Sequence, residues 1–150
     1  MNKTSSALDK LFEFNKITIA LNKVIERNSW DQEAIMPSGA LVDRAEEQAC
    51  LMVIAHKRQT SNEFSDLLNS IKTENLSKNE SRQISLMKKE LKRALSVPND
   101  LIGALAKHTT LAHSVWVDAR KNNDFQRFLP QFSKVLELRK EEADAIRQDT

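Results

Sequence analysis

Apolar residues recur at spacings of three and four positions along most of this chain, which is the period of one face of a helix. Two Gly, three Pro and no Tyr leave few turn-formers and few strand-favouring aromatics. The sequence therefore predicts an all-α fold, made of antiparallel helical hairpins or a bundle of about five to six helices. The apolar face expected of the first helix comprises Leu8, Leu11, Phe12, Ile17, Ala20, Leu21, Val24 and Ile25.

The first half of the chain contains two long helical segments and a short one. Ser5 or Ser6 can cap the first segment, which is expected to end near Asn28. The second segment starts after Pro37, with Ser38 as the expected cap, and runs to about residue 58. A short helix is predicted over 64–71, between two polar stretches.

Three further segments follow in the second half. The sequence SKNE at 77–80 matches a capping box ahead of an apolar series of helical period. Pro98 must interrupt the helix, and Asn99 or Asp100 is the expected cap of the next one. Pro130 suits the first turn of the last helix.

Composition describes an ordinary globular chain, 40% hydrophobic and 29% charged, for which one helical domain over 1–150 is expected. The net charge of +2 comes from interspersed charges with no basic block between aromatics, so no nucleic-acid partner is expected. The sequence has neither a signal-peptide core nor an apolar run that would span a membrane. With Cys50 as the lone cysteine, a cytoplasmic protein is predicted.

The histidines do not form a zinc signature. His108 and His113 are five positions apart in HTTLAH, about 140° around a helix, whereas zinc peptidases use the spacing i, i+4 with a glutamate between. Cys50 and His56 project in different directions, so Cys50 is expected to be a small buried thiol.

The stretch SWDQEAIMPSGA, at 29–40, is the remaining candidate. Asp31 and Glu33 would diverge by about 200° on a helix, so a cooperating pair needs a non-helical backbone. We expect Trp30 to be buried at a corner between the first two helices, while the polar residues after it satisfy backbone amides. No catalytic, cofactor-binding or metal-binding residue is assigned in this chain.

The order of motifs resembles one enzyme family. WDQEAIMPSGA followed by RAEEQACLMVIAH resembles the start of the thermostable carboxypeptidase Taq family of metallocarboxypeptidases. The later run HSVWVDARKNNDFQRFLPQFSKVLELRKEEADAI resembles that family's W-x-x-AR-x-x-NDF segment. Ala34 and Ile35 stand where the family has Thr and Met. HExxH, HPF and D-x-R-x-T are absent, so no functional residue is carried over.

The resemblance implies a lid-like part of a helical, neurolysin-type metallopeptidase. The parent enzyme would bind zinc or another divalent metal and release amino acids from the C-termini of peptides, usually as a homodimer. This chain would then be a non-catalytic amino-terminal segment, inactive alone, that forms cleft wall, lid and dimer contacts. It would bind no cofactor itself, would meet peptide substrate only in the full-length enzyme, and would self-associate through exposed apolar faces.

Two other functions stay open at this stage. One is a free-standing helical module that binds another protein through an apolar groove. The other is a small metal-dependent hydrolase in which the fold brings Asp31, Glu33 and histidines together.

Overall fold

The computed structural model describes residues 3–72, 74 and 76–147, with side chains from residue 7 onwards. These residues form six α-helices and one short 3-10 helix, with no strand among them. The all-α prediction is therefore confirmed. The elements are α1 (Lys3–Ala34), η1 (Ser38–Ala40), α2 (Leu41–Gln59), α3 (Asn62–Ser70), α4 (Lys78–Leu95), α5 (Asn99–Lys121) and α6 (Phe125–Arg147).

The helices pack in the order α1, α2, α5, α6, with the α2–α5 and α5–α6 pairs the most extensive. Gly103 permits the close approach of α2 and α5, because a Cβ atom there would lie 3.2 Å from Val53 Cγ2. The short helix α3 packs against α1 and α4. None of the helices in the described ranges is both long and apolar enough to cross a bilayer.

Two separate clusters form the hydrophobic core. The larger one joins the first half of α1 to α3 and α4, and Phe14 and Phe64 stack within it with ring centroids 5.4 Å apart. Arg58 of α2 covers this cluster, with its guanidinium 3.9 Å from the centre of the Phe14 ring. The smaller cluster joins α5 to α6 and comprises Val97, Leu101, Leu105 and Leu138.

The apolar face predicted for α1 is only partly buried. Leu8 and Leu11 lie in the core, but Ile17 and Val24 are exposed. Phe14, which the pattern omitted, is buried instead. The core contacts of α1 therefore come mainly from its first half.

Some helix ends follow local sequence signals. At α4 the capping box is formed: Glu80 N–H donates to Ser77 Oγ, and the Glu80 carboxylate accepts from the Ser77 N–H at 2.8 Å. Pro98 separates α4 from α5 as predicted. The short helix also forms, with Ser61 as its side-chain cap.

Other predicted ends in the first half are wrong. α1 begins at Lys3 and ends at Ala34, so Ser5 and Ser6 lie inside the helix and not at its start. Ser38 starts a 3-10 turn, and α2 begins after Ala40 without a side-chain cap. The residues that continue α1 beyond Asn28 contact α2 and α5 through Asp31 and Gln32.

Two predictions in the second half are also wrong. Neither Asn99 nor Asp100 caps α5, which begins at Asn99 directly after Pro98. Pro130 lies inside α6, because that helix starts five residues earlier, at Phe125. The start is fixed by Asp124, whose carboxylate accepts from the Arg127 N–H at 3.1 Å.

The chain turns from α5 into α6 through a Schellman motif. Asn123 has a left-handed backbone with φ of 52°. Its N–H donates to Arg120 O at 3.3 Å, and the Asp124 N–H donates to Ala119 O at 2.8 Å. These bonds satisfy the last carbonyls of α5 and join the two helices through a short connection.

Candidate functional site at the corner of α1 and α2

Most of the stretch at 29–40 is helical. α1 continues through Ala34, and both Ile35 and Met36 donate their N–H groups to Asp31 O, at 3.0 and 2.9 Å. Pro37 then adopts an extended backbone and leads into the 3-10 turn. The corner itself is therefore only about three residues long, and the side chains of 30–34 project from a helix end.

Asp31 joins α1 to α2. Its carboxylate accepts from Arg44 Nη2 at 2.6 Å, and Arg44 also donates to Asn28 O and to Glu47 at 3.1 Å. The Arg44 side chain is largely buried. The hydrogen bond that Arg44 donates to Asp31 raises the pKa of Arg44, so this guanidinium is a permanent cation that holds the end of α1 against α2.

Gln32 and Glu33 face α5 instead. Gln32 Nε2 donates to Thr110 O at 3.3 Å, and Glu33 Oε1 lies 3.6 Å from His113 Nε2. Asp31 and Glu33 therefore serve different helices, as their spacing on a helix requires. The prediction that these residues satisfy backbone amides is wrong. Asp31 and Glu33 face side chains of α2 and α5, and Gln32 donates to a backbone carbonyl of α5.

Trp30 is not buried at the corner, which corrects the expectation from sequence. Its side chain is 67% exposed and lines a shallow depression with Lys23, Glu26 and Arg27. Because the backbone stays helical, Trp30 is rotated by about 100° from Asp31 and away from the α2 contact.

The three histidines have separate environments. His56 is buried, with Nδ1 2.9 Å from Asn99 Oδ1 and Nε2 3.0 Å from Ala94 O, so it bridges the end of α4 and the start of α5. His113 lies beside Trp116, with ring centroids 5.7 Å apart. Nδ1 of His108 is buried without a hydrogen-bond partner in the described part of the chain.

Cys50 is exposed, so the prediction of a buried thiol is wrong. It lies on the solvent side of α2, whereas His56 on the same helix faces the α4–α5 junction. The fold therefore does not bring them together as nucleophile and base.

Sequence reasoning missed the two polar residues that make this corner rigid, Arg44 and Gln48. Gln48 is buried, and its Nε2 donates to Ser29 Oγ at 3.0 Å and to Ile25 O at 3.4 Å. A signal for both was present: they are four residues apart on one face of α2, next to the small Ala45, which is fully buried.

A depression of about 310 Å³ lies between the corner and α5. Glu33, Ser38, His113 and Trp116 are among its lining residues. The Glu33 carboxylate can accept hydrogen bonds from a ligand, and the His113 imidazole can donate or accept one. Among the described residues no group of three or more His, Cys, Asp or Glu is placed to hold a metal ion.

The Carboxypeptidase Taq (M32) metallopeptidase family model matches residues 10–150 of this chain. The chain belongs to this family. The family assignment agrees with the corner and NDF motifs that carried the resemblance.

Relatives in the family are much longer. Thermostable carboxypeptidase 1 of Thermus thermophilus is 28% identical over 145 residues, which cover 94% of this chain and 28% of the relative. Thermostable carboxypeptidase 1 of Pyrococcus furiosus is 29% identical over 118 residues, 78% of this chain and 24% of the relative. The chain thus spans about a quarter of the length of the curated relatives it matches.

A solved structure has the same helical arrangement. The crystal structure of BsuCP superposes with a TM-score of 0.89 at 21% identity, covering 93% of this chain and 29% of that one. At this identity the likeness concerns the fold alone.

Proposed function

We propose that this chain forms an amino-terminal helical wall of a metallocarboxypeptidase cleft and performs no peptide hydrolysis by itself. The observation that carries the proposal is the family match over 10–150 together with a span of about a quarter of the relatives' length. In the parent enzyme, this wall would shelter a metal site that releases amino acids from the C-termini of peptides.

The corner residues do not fit a zinc site. Catalytic zinc sites use three protein ligands with an open fourth position. Both ring nitrogens of His56 face oxygen atoms of the protein, and within the described ranges His113 and Glu33 belong to no group of three or more His, Cys, Asp or Glu that could hold a metal ion. Asp31 is held by Arg44 on the other side of α1. We therefore propose that residues outside this chain hold the zinc or other divalent metal of the parent enzyme.

A chimera tests the proposal. The matched segment of the Thermus thermophilus relative is replaced by this chain, and release of the last residue from a blocked dipeptide is measured with added Zn²⁺ or Co²⁺. We expect the folded chimera to release the amino acid and the isolated chain to release none. The unmodified relative is the positive control.

Two results would contradict the proposal. One is release by the isolated chain that depends on metal and disappears in Glu33→Gln but not in the exposed control Glu63→Gln. The other is a chimera that has native circular dichroism and cooperative melting but no activity.

The free-standing interaction module remains the second candidate. Exposed Trp116 and Phe125 favour it, because they line one depression together and contiguous exposed apolar surface indicates a binding site. A defined protein that co-purifies in stoichiometric amount, together with an inactive chimera, would support the module.

We also propose a cytoplasmic location, which the lone Cys50 supports.

A further inference from the structure

His56 of α2 is buried, and both of its ring nitrogens contact oxygen atoms. The residue is 9% exposed and lies where the end of α4 meets the start of α5. Nε2 is 3.0 Å from Ala94 O, and Nδ1 is 2.9 Å from Asn99 Oδ1. Both distances are those of hydrogen bonds, so each contact needs one hydrogen between its two atoms.

The contact with Ala94 fixes one proton on the ring. A carbonyl oxygen can only accept, so Nε2 carries a hydrogen whenever this bond is present. Ala94 O is one of the last four carbonyls of α4, which have no partner within their own helix, and it also accepts from the Val97 N–H at 3.1 Å. His56 therefore helps to close the end of α4, and its neutral ring is the Nε2–H tautomer.

The contact with Asn99 has two possible forms. With Oδ1 toward Nδ1, as in the structure, the bond requires a proton on Nδ1, and the ring is then an imidazolium. In a neutral ring Nδ1 has a lone pair, which would face the lone pairs of Oδ1. A half-turn of the amide places Nδ2 there instead, and its N–H then donates to Nδ1. Each protonation state of His56 thus fits one orientation of the Asn99 amide.

Asn99 is available for this role because it does not cap its own helix. It is the first residue of α5, and no side-chain cap bond forms at that end of the helix. Within the described ranges, its amide makes no hydrogen bond other than the one with His56. The amide is therefore free to take either orientation.

The charged residues near the junction do not pair with His56. In the part of the chain that the structure describes, none of the ion pairs includes this histidine. The nearest charged residues along the three helices are Lys57 and Arg58 on α2, Lys92 and Arg93 in the last turn of α4, and Asp100 in the first turn of α5. The contact with Asn99 is thus the part of this environment that changes with the proton.

We propose that the proton on His56 and the orientation of the Asn99 amide change together, so that the α4–α5 junction has two hydrogen-bonded states. In acid, Nδ1–H donates to Asn99 Oδ1. At higher pH, Nδ1 loses its proton to solvent, the amide turns, and Asn99 Nδ2–H donates to Nδ1. The bond from Nε2 to Ala94 O is kept in both states. The proposal is independent of the proposed function, since all three helices belong to this chain and activity of the chimera does not enter its test.

Nuclear magnetic resonance of the chain labelled with nitrogen-15 tests both halves of the proposal. Long-range correlation spectra distinguish a protonated ring nitrogen from an unprotonated one, and the His56 signals are those absent in His56→Gln. We expect both nitrogens to carry protons at about pH 5, and only Nε2 at about pH 8. The Asn99 Nδ2 resonances should shift over the same range, with a coupling across the bond to Nδ1 only at the alkaline end. Circular dichroism checks that the helix content stays constant.

Replacing the amide by a carboxylate removes one of the two states. The aspartate in Asn99→Asp can only accept, so the midpoint of the His56 titration should rise by about one pH unit or more. The melting temperature of this variant should also fall as the pH rises through that midpoint, whereas the wild type keeps its bond. Asn69→Asp is the control, because it adds the same charge at an exposed position of α3 and should leave the midpoint unchanged.

Four results would overturn the proposal. The first is a set of Asn99 resonances that stays constant while His56 gains its second proton. The second is a neutral ring with its proton on Nδ1, and the third is a His56 that keeps one protonation state over the whole range. The fourth is an equal rise of the midpoint in Asn99→Asp and Asn69→Asp, since the contact with Asn99 would then not govern the ring.

Discussion

Asp31 and Glu33 are two residues apart, yet each binds a different helix. Their divergence on α1 directs Asp31 to Arg44 of α2 and Glu33 to His113 of α5. The motif that carried the family resemblance therefore has a structural explanation at the level of single side chains: its polar residues join three helices at one corner.

Replacing Arg44 tests this junction. Arg44→Met removes a largely buried guanidinium that serves Asp31, Glu47 and a backbone carbonyl. We expect the free energy of unfolding in urea to fall by about 2 kcal/mol, because the partly buried acceptors Asp31 and Asn28 O lose charged hydrogen bonds. Lys16→Met removes an exposed ion pair with Glu13 and should cost at most about 0.5 kcal/mol. Equal losses in the free energy of unfolding of the two variants would show that Arg44 does not hold α1 against α2.

For Trp30 we predict almost no loss of stability on substitution. Since its ring is 67% exposed, Trp30→Ala should change the free energy of unfolding by no more than about 0.5 kcal/mol. A buried corner tryptophan would cost about 3 to 5 kcal/mol. Urea denaturation followed by far-ultraviolet circular dichroism distinguishes the two values, and it does not depend on the fluorescence that the substitution removes.

At the scale of the element, local chemistry fixed some helix ends and tertiary contacts fixed others. The capping box at Ser77 and the stop at Pro98 need only neighbouring residues, so sequence predicted both. The last turns of α1 contain Asp31, whose partner Arg44 lies on α2, and the local sequence around Asn28 does not show such a contact between helices. The start of α6 was missed because Asn123 and Asp124 act together as a Schellman end and a cap.

The α4 cap should depend on pH. Hydrogen bonds from the Ser77 hydroxyl and backbone N–H lower the pKa of Glu80. Because the pKa of Glu80 is lower in the folded protein than in the unfolded one, the cap contributes its full stability above the pKa of a free glutamate. This stability is lost as the pH falls through the lowered pKa. Ser77→Ala should therefore reduce the fall in melting temperature between about pH 5 and pH 3. Parallel melting curves of the two proteins across this range would contradict the expected linkage.

At the α2–α5 contact, Gly103 is expected to tolerate no large side chain. Gly103→Leu forces side-chain atoms into Val53, because even a Cβ would lie 3.2 Å from it. We expect a loss of about 2 kcal/mol in the free energy of unfolding. Gly39→Leu is the control, since nothing lies within 4 Å of its added Cβ. Chemical denaturation of both variants provides the comparison, and a Gly103→Leu protein as stable as the control would contradict close packing.

At the scale of the whole molecule, two core clusters stabilise different parts of the chain. Leu68 is fully buried in the larger cluster, where the short helix α3 meets α1 and α4. Leu68→Ala should lower the free energy of unfolding by about 3 kcal/mol, whereas the exposed Leu95→Ala should have little effect. Hydrogen exchange should show lost protection first in α3 and the first half of α1. Uniform loss across α5 and α6 would instead indicate one continuous core.

Sequence and tertiary structure thus decided different properties. The sequence by itself determined the helical class, the break at Pro98, the cap at Ser77 and the family, because periodicity, capping chemistry and motif order are properties of neighbouring residues. Only the tertiary structure decided that Trp30 and Cys50 are exposed and that Asp31 meets Arg44. Burial and pairing depend on which helix lies opposite, and that is settled by packing between residues far apart in the chain.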